Sequence, residues 1–131
     1  MSETNSQHIV NTAMTLKQRY AEGKRNFNGA NLGNADLQGV DLKGSDFSYA
    51  DLSEANLNSA NLRGCDFSFA NLSQANLQDA DLRGALLFST DLRQANLKGA
   101  KLEKADCDRT THFPQKFDPA QVGLQIKDLP K

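Results

Sequence analysis

The side chains best equipped for chemistry are few: two histidines, His8 and His112, and two cysteines, Cys65 and Cys107. A histidine relays protons or ligates a metal, and a thiolate attacks or ligates. The spacing supports none of these uses. Neither histidine has a Cys or His neighbour at metal-ligand spacing. The chain has no Gly-rich phosphate loop and no nucleophile elbow. Aspartates recur throughout, yet the glycine-rich nonapeptide that binds calcium in some β-solenoids is missing. We therefore expect no catalytic residue, no metal, no cofactor and no enzyme.

The 131 residues suffice for one domain, and the net charge of −1 gives no bulk attraction to nucleic acid or anionic lipid. The charge is unevenly spread. Residues 26–108 carry −5, and the flanks 1–25 and 109–131 carry +2 each. No apolar run reaches the length of a signal h-region or a membrane span. The expectation is a soluble, cytoplasmic protein with reduced thiols.

What must position these side chains is a five-residue beat. From Phe27 to Cys107 there are seventeen centres at this spacing, and sixteen are Leu or Phe. Two residues before the centre, Ala stands at twelve of sixteen places from Ala30 to Ala105. One residue before the centre, Asn or Asp stands at fifteen of seventeen, with Leu86 and Lys101 as exceptions. A helix smears a step of five around its axis, and a straight strand flips every second leucine outward. A strand that turns a corner once per unit buries them all. Phe27, Phe47 and Phe67, followed by Leu87, lie twenty residues apart, so one coil has four sides and these four form a core stack. Gly44, Gly64 and Gly84 share the same interval two residues past their centres, where a type II corner needs positive φ. The cysteines face inward and lie forty-two residues apart. Two coils separate them by roughly 10 Å, too far for a disulfide.

The A-[DN]-L-x-x register resembles the pentapeptide repeat family over residues 26 to about 110. "RYAEGKRNF" (Arg19–Phe27) resembles the helix-to-coil entry of cyanobacterial members, including regulators of heterocyst differentiation. "THFPQKFDP" (Thr111–Pro119) resembles a segment that follows the last repeat in cyanobacterial members. The resemblance implies an all-β fold, a right-handed quadrilateral β-helix of about four coils, with an N-terminal capping helix, from a cyanobacterium.

The expected organisation is a capping helix and entry segment in 1–25, the β-helix in 26–110 and a tail or cap in 111–131. The helix is expected over residues 5–22, with Ile9, Ala13, Leu16 and Tyr20 on one stripe and Gly23 as its stop. His112 falls where the beat would place a leucine, so it reads as a loop residue where the coil frays. Val122, Leu124 and Ile126 alternate like a strand that either covers the last coil or pairs with a second subunit, and Lys127, Asp128, Pro130 and Lys131, a poor continuing edge, favour the cap.

One outer column, Lys43, Arg63 and Arg83, ends in Glu103 and reads as a solvated face partly neutralised by Asp41 and Asp81. Another face departs from the polar rule, with Tyr49, Phe69, Leu86 and Phe88 all pointing outward. An exposed apolar cluster marks an interface or is covered by the chain itself, here through Phe113 or Phe117. These four residues are the candidate protein-interaction face. The expected function is a small, rigid, non-catalytic protein–protein interaction module, regulatory if it acts like the heterocyst regulators. Its partner is an unidentified protein, without direct nucleic-acid or membrane binding, and it is a monomer or weak homodimer. The alternative implied by the family is a DNA mimic that modulates DNA gyrase. Duplex DNA carries about one charge per 1.7 Å, more than twice the density of this −5 body, so mimicry ranks second.

Overall fold

In the computed structural model, which describes residues 9–128, the repeat winds into a β-helical solenoid held by parallel bridges between residues twenty apart. Asn26 pairs with Asp46, Asp46 with Asp66, Asp66 with Leu86 and Leu86 with Asp106. Parallel columns run through Asn31–Asp91, Asp36–Asn96 and Asp41–Lys101. Each bridge is one residue wide, because the chain turns before a longer strand can form.

Each unit has five backbone N–H groups to place. In the unit centred on Phe47, the Phe47 N–H donates to Asp66 O at 2.8 Å and the Tyr49 N–H to Ser68 O at 3.0 Å. The Asp46 N–H reaches back to Arg25 O at 2.8 Å, and the Ala50 N–H closes the corner on Phe47 O at 3.0 Å. The fifth, from Ser48, has no backbone acceptor. The Asp46 carboxylate oxygen Oδ1 takes it at 2.9 Å. The same side-chain bond recurs from Ser53 to Asp51, Ser68 to Asp66, Ser73 to Asn71 and Gln78 to Asn76. Only Oδ1 is needed, so Asn and Asp serve alike.

The corners explain the next position. The residue two past each centre from Phe27 to Leu102 has positive φ whether or not it is glycine: Gly44 (76°) and Gly64 (68°), but also Glu54 (60°) and Asp79 (60°). With the three-residue turn bond this is type II geometry at every corner, not only in the glycine column.

Inside, Phe27 and Phe47 stack at 5.6 Å between centroids, Phe47 and Phe67 at 5.6 Å, and the leucines fill the remaining sides. The small inward position is polar in places. Thr90 Oγ1 donates to Phe67 O at 2.7 Å and Cys65 Sγ to Leu42 O at 3.1 Å. Ser45 Oγ is buried without a partner. Its counterpart acceptor would be Glu22, which instead ends the N-terminal helix, α1 (Ala13–Ala21).

That helix starts later than the expected residue 5. Thr12 caps it, its hydroxyl accepting from the Thr15 N–H at 3.0 Å, and residues 5–8 lie outside the described residues. The stripe shifts accordingly: Ile9 is exposed and Val10 is buried. Val10 is extended chain, and its carbonyl accepts from the Asn31 N–H at 2.7 Å, as Ala30 O does from Asp51. Leu16 is fully buried, and the Tyr20 hydroxyl donates to Lys43 O at 2.9 Å.

At the other end, the repeat slips. His112 does not take the leucine place; it pairs with Asp91 and is exposed, while Thr111 enters the buried small position and donates to Leu87 O at 2.6 Å. One extra residue in the Asp108–Thr111 turn causes the shift, and Phe113 follows at the centre position. After a 3-10 turn (Pro119–Val122), strand β2 (Gln125–Ile126) pairs in parallel with β1 (Asp106–Cys107). Leu124 thereby lies buried over the last coil.

Two corner ion pairs are bidentate: Arg83 on Asp81 at 2.9 and 2.7 Å, and Arg93 on Asp91 at 3.0 and 2.9 Å. The arginine bonds hold both carboxyls below the usual carboxylate range. A lowered folded pKa favours folding above the ordinary carboxylate pKa, and the gain is lost as pH falls through the lowered value.

Three outcomes are expected. Phe47→Ala, in the middle of the ring stack, lowers stability by about 3–5 kcal/mol in urea unfolding. Asn71→Asp is nearly neutral, whereas Asn71→Ala loses about 1 kcal/mol because the Ser73 N–H is orphaned. The urea midpoint declines below about pH 4, and the double variant Asp81→Asn, Asp91→Asn declines less steeply over that range.

Candidate interaction face

Tyr49 and Phe69 occupy successive places in one corner column, between Gly29 below and Ser89 above. Both have φ of 63°. A bulky side chain in the left-handed region costs roughly 1–2 kcal/mol, which glycine avoids. Both rings are nevertheless exposed, Tyr49 at 63% and Phe69 at 54%. They stack on each other 5.0 Å apart and within 7° of parallel, a spacing set by the coil rise.

Leu86 and Phe88 lie one coil further along the same side, both half-buried. Leu86 keeps its backbone bridges to Asp66 and Asp106. It cannot supply the carboxylate or amide oxygen that its column supplies elsewhere. The Phe88 N–H has no acceptor among the described residues, whereas the equivalent Ser48 and Ser68 N–H groups are bonded at 2.9 Å. The Phe88 carbonyl still accepts from the Phe69 N–H at 2.9 Å. The face therefore combines two strained aromatic corners with one lost hydrogen bond.

The tail does not cover it. Phe113 and Phe117 stack on each other at 5.0 Å, beside a different part of the rod. Phe113 lines an open cleft of about 650 Å³ with Ser73, Gln74, Arg93 and Gln94, and Phe117 lies by Leu97 and Lys98. Past the one-residue slip at 108–111, residues 113–117 run along the next side, and the chain returns only at Gln125–Ile126 and Asp128, which lie on Asp106–Cys107 and Arg109 above Leu86 and Phe88.

Charge also distinguishes the face. Residues 46–55 and 66–75 contain Asp46, Asp51, Glu54 and Asp66 but no Lys or Arg. The cationic column sits elsewhere, with Lys43 3.8 Å from Asp41 and Arg83 on Asp81. Near the aromatic pair, Asp46 Oδ1 accepts from both the N–H and the hydroxyl of Ser48, and Asn28 donates to that hydroxyl at 2.7 Å.

The cysteines are buried and unpaired. Burial pushes the Cys65 thiol up to about 12 and the Cys107 thiol up to about 11, so both are inert as nucleophiles. Among the described residues no cluster of His, Cys, Asp and Glu is placed to hold a metal. Among them, too, no helix is long and apolar enough to cross a membrane.

The sequence pattern singles out the four apolar residues but not the backbone strain beneath two of them. A non-glycine residue two past a centre was the available signal, and its meaning depends on knowing that every corner is left-handed.

The chain matches the model of pentapeptide repeats in eight copies spanning residues 26–64, 50–87, 65–103 and 90–111. It is similar to a pentapeptide repeat protein from Nostoc PCC 7120, at 69% identity, TM-score 0.89, covering 90% of this chain and 98% of that one. It also resembles a pentapeptide repeat protein from the Arabidopsis thaliana thylakoid lumen, at 38% identity and TM-score 0.47, covering 62% and 53% of the two chains. A third likeness is to HetL, a Nostoc pentapeptide repeat protein involved in heterocyst differentiation regulation, at 36% identity and TM-score 0.39, covering 74% and 48%. Among curated proteins, none matches. Seventeen consecutive units, the match to the repeat model and the 69% identity to the Nostoc protein lead to one assignment: the chain belongs to the pentapeptide repeat family.

Proposed function

We propose that this protein is a small, rigid, non-catalytic protein–protein interaction module that docks its partner on Tyr49, Phe69, Leu86 and Phe88. The rod behind the face is a quadrilateral solenoid of about four coils, capped by α1 and by the 111–131 tail, and it works as a monomer or weak homodimer. The cytoplasm suits its two unpaired buried thiols, Cys65 and Cys107.

The observation that carries this reading is that exposed, mutually stacked rings stand at corners the fold elsewhere fills with glycine or polar residues. Glycine or a small polar residue satisfies the corner at Gly29 and Ser89, yet rings stand at positions 49 and 69. Asn or Asp satisfies the column at Asn26, Asp46 and Asp66, yet leucine stands at position 86. Positions that violate local rules without a folding gain are where function is expected.

DNA mimicry directed at gyrase has one point in its favour, the −5 body. Against it, the charge is one-sided: the sides holding Lys43, Arg63, Arg83, Lys98, Lys101 and Lys104 are not acidic overall. A supercoiling assay with micromolar protein checks it, and no effect on gyrase is the expected result.

The test of the docking face uses variants that keep the rod intact. Phe69→Gly relieves the corner while losing the Tyr49 stack, so stability stays within about 1 kcal/mol of the parent. Leu86→Asn gives the Phe88 N–H its missing acceptor and raises stability by about 0.5–1.5 kcal/mol. Both lose the partner in a pulldown from a cyanobacterial lysate. Undiminished partner recovery by both variants defeats the proposal.

A further inference from the structure

We infer that the partner presents a basic segment, and that an arginine or lysine of that segment stacks on the open face of the Tyr49 ring. The inference rests on the docking face proposed above and adds the chemistry of what it takes.

Two features of the face argue for a cation. The first is ring geometry. Tyr49 and Phe69 are stacked along the coil axis at 5.0 Å, so the Tyr49 face away from Phe69 looks toward the Gly29 corner. Gly29 carries no side chain, and nothing lies within 4 Å of where its Cβ would stand. Among the described residues, the next place in the ring column is therefore open. A planar guanidinium fits there as a third layer, attracted by the ring's negative face. The chain already uses this arrangement once: the Arg25 guanidinium carbon lies 3.7 Å from the Tyr20 ring centre.

The second is charge. Asp46 and Asp66 lie on the side that ends at the aromatic corner, Asp51 begins the next side and Glu54 stands at its far corner, and no Lys or Arg occurs in residues 46–55 or 66–75. None of these four carboxylates is in an ion pair among the described residues, whereas Asp41, Asp81 and Asp91 each have a cationic partner. An acidic rim around exposed rings favours a cationic ligand and repels an acidic one, which sets both encounter rate and specificity. A purely apolar partner would desolvate those carboxylates without compensation.

The experiment selects a random dodecapeptide display library on the full chain and counter-selects on Phe69→Gly. Peptides that depend on the face are expected to be several-fold enriched in Arg and Lys over the library. Their affinity is then measured on Asp46→Asn, Asp51→Asn, Asp66→Asn. Asn stands naturally at 26, 31 and 71 in these columns, so the turns keep their bonds. At low salt the triple variant should bind about tenfold more weakly, and added salt should erase most of that difference. Face-dependent peptides without basic enrichment overturn the cationic partner but leave the docking face standing. So does binding that the triple variant leaves unchanged. Failure to recover any face-dependent peptide overturns both.

Discussion

The constraint on which this structure depends is that five backbone N–H groups per unit must each find an acceptor. A buried, unpaired N–H costs as much as a lost hydrogen bond. Three of the five go to neighbouring coils and one closes the corner. The geometry leaves the fifth with nothing on the backbone, and a side-chain oxygen one residue before the centre takes it. From this single deficit follow the Asn/Asp rule, the indifference between the two, and the short bridges. The hydrophobic core then needs only to be filled, by Leu or Phe at the centre and a small residue two before it.

Much of this was legible in the sequence because the repeat is strict. The beat of five at Leu62, Phe67 and Leu72 excludes helix and straight strand without any structural knowledge, and the interval from Phe27 to Phe47 to Phe67 gives the coil. What was not legible lies where the repeat stops. The start of α1 depends on Thr12 outcompeting a longer stripe, and Val10 is buried because it pairs with Asn31, not because it is helical. His112 looks in step by counting, but counting cannot register one extra residue in a turn. The corner strain at Tyr49 and Phe69 was hidden for another reason: φ is a property of the turn, and glycine marks only some of the turns that require it.

The candidate face shows how a strict repeat reports function. In an irregular protein, a leucine in place of an aspartate would pass unnoticed. Here Leu86 stands out because its column has a stated job, and the Phe88 N–H records that the job is not done. Strain at positions 49 and 69 and the orphaned donor at 88 occur within two coils on one side. The rod tolerates these departures, along with positive φ at Glu54 and Lys104 and the lost side-chain acceptor at Lys101, as the sum of many small, nearly equal interfaces.

A parallel ladder with identical rungs also invites growth. Its last edge presents the same pattern that a cross-β fibre uses to recruit the next strand. The slip at 108–111 changes the register at that edge. Asp91 meets His112 one residue late, and Asp106 meets Gln125 one residue early, so the final layer is out of phase with every layer beneath it. The extra residue at 108–111 thus breaks the count without breaking the ladder: the last described layer keeps its backbone pairs while leaving the beat of five that built every layer below.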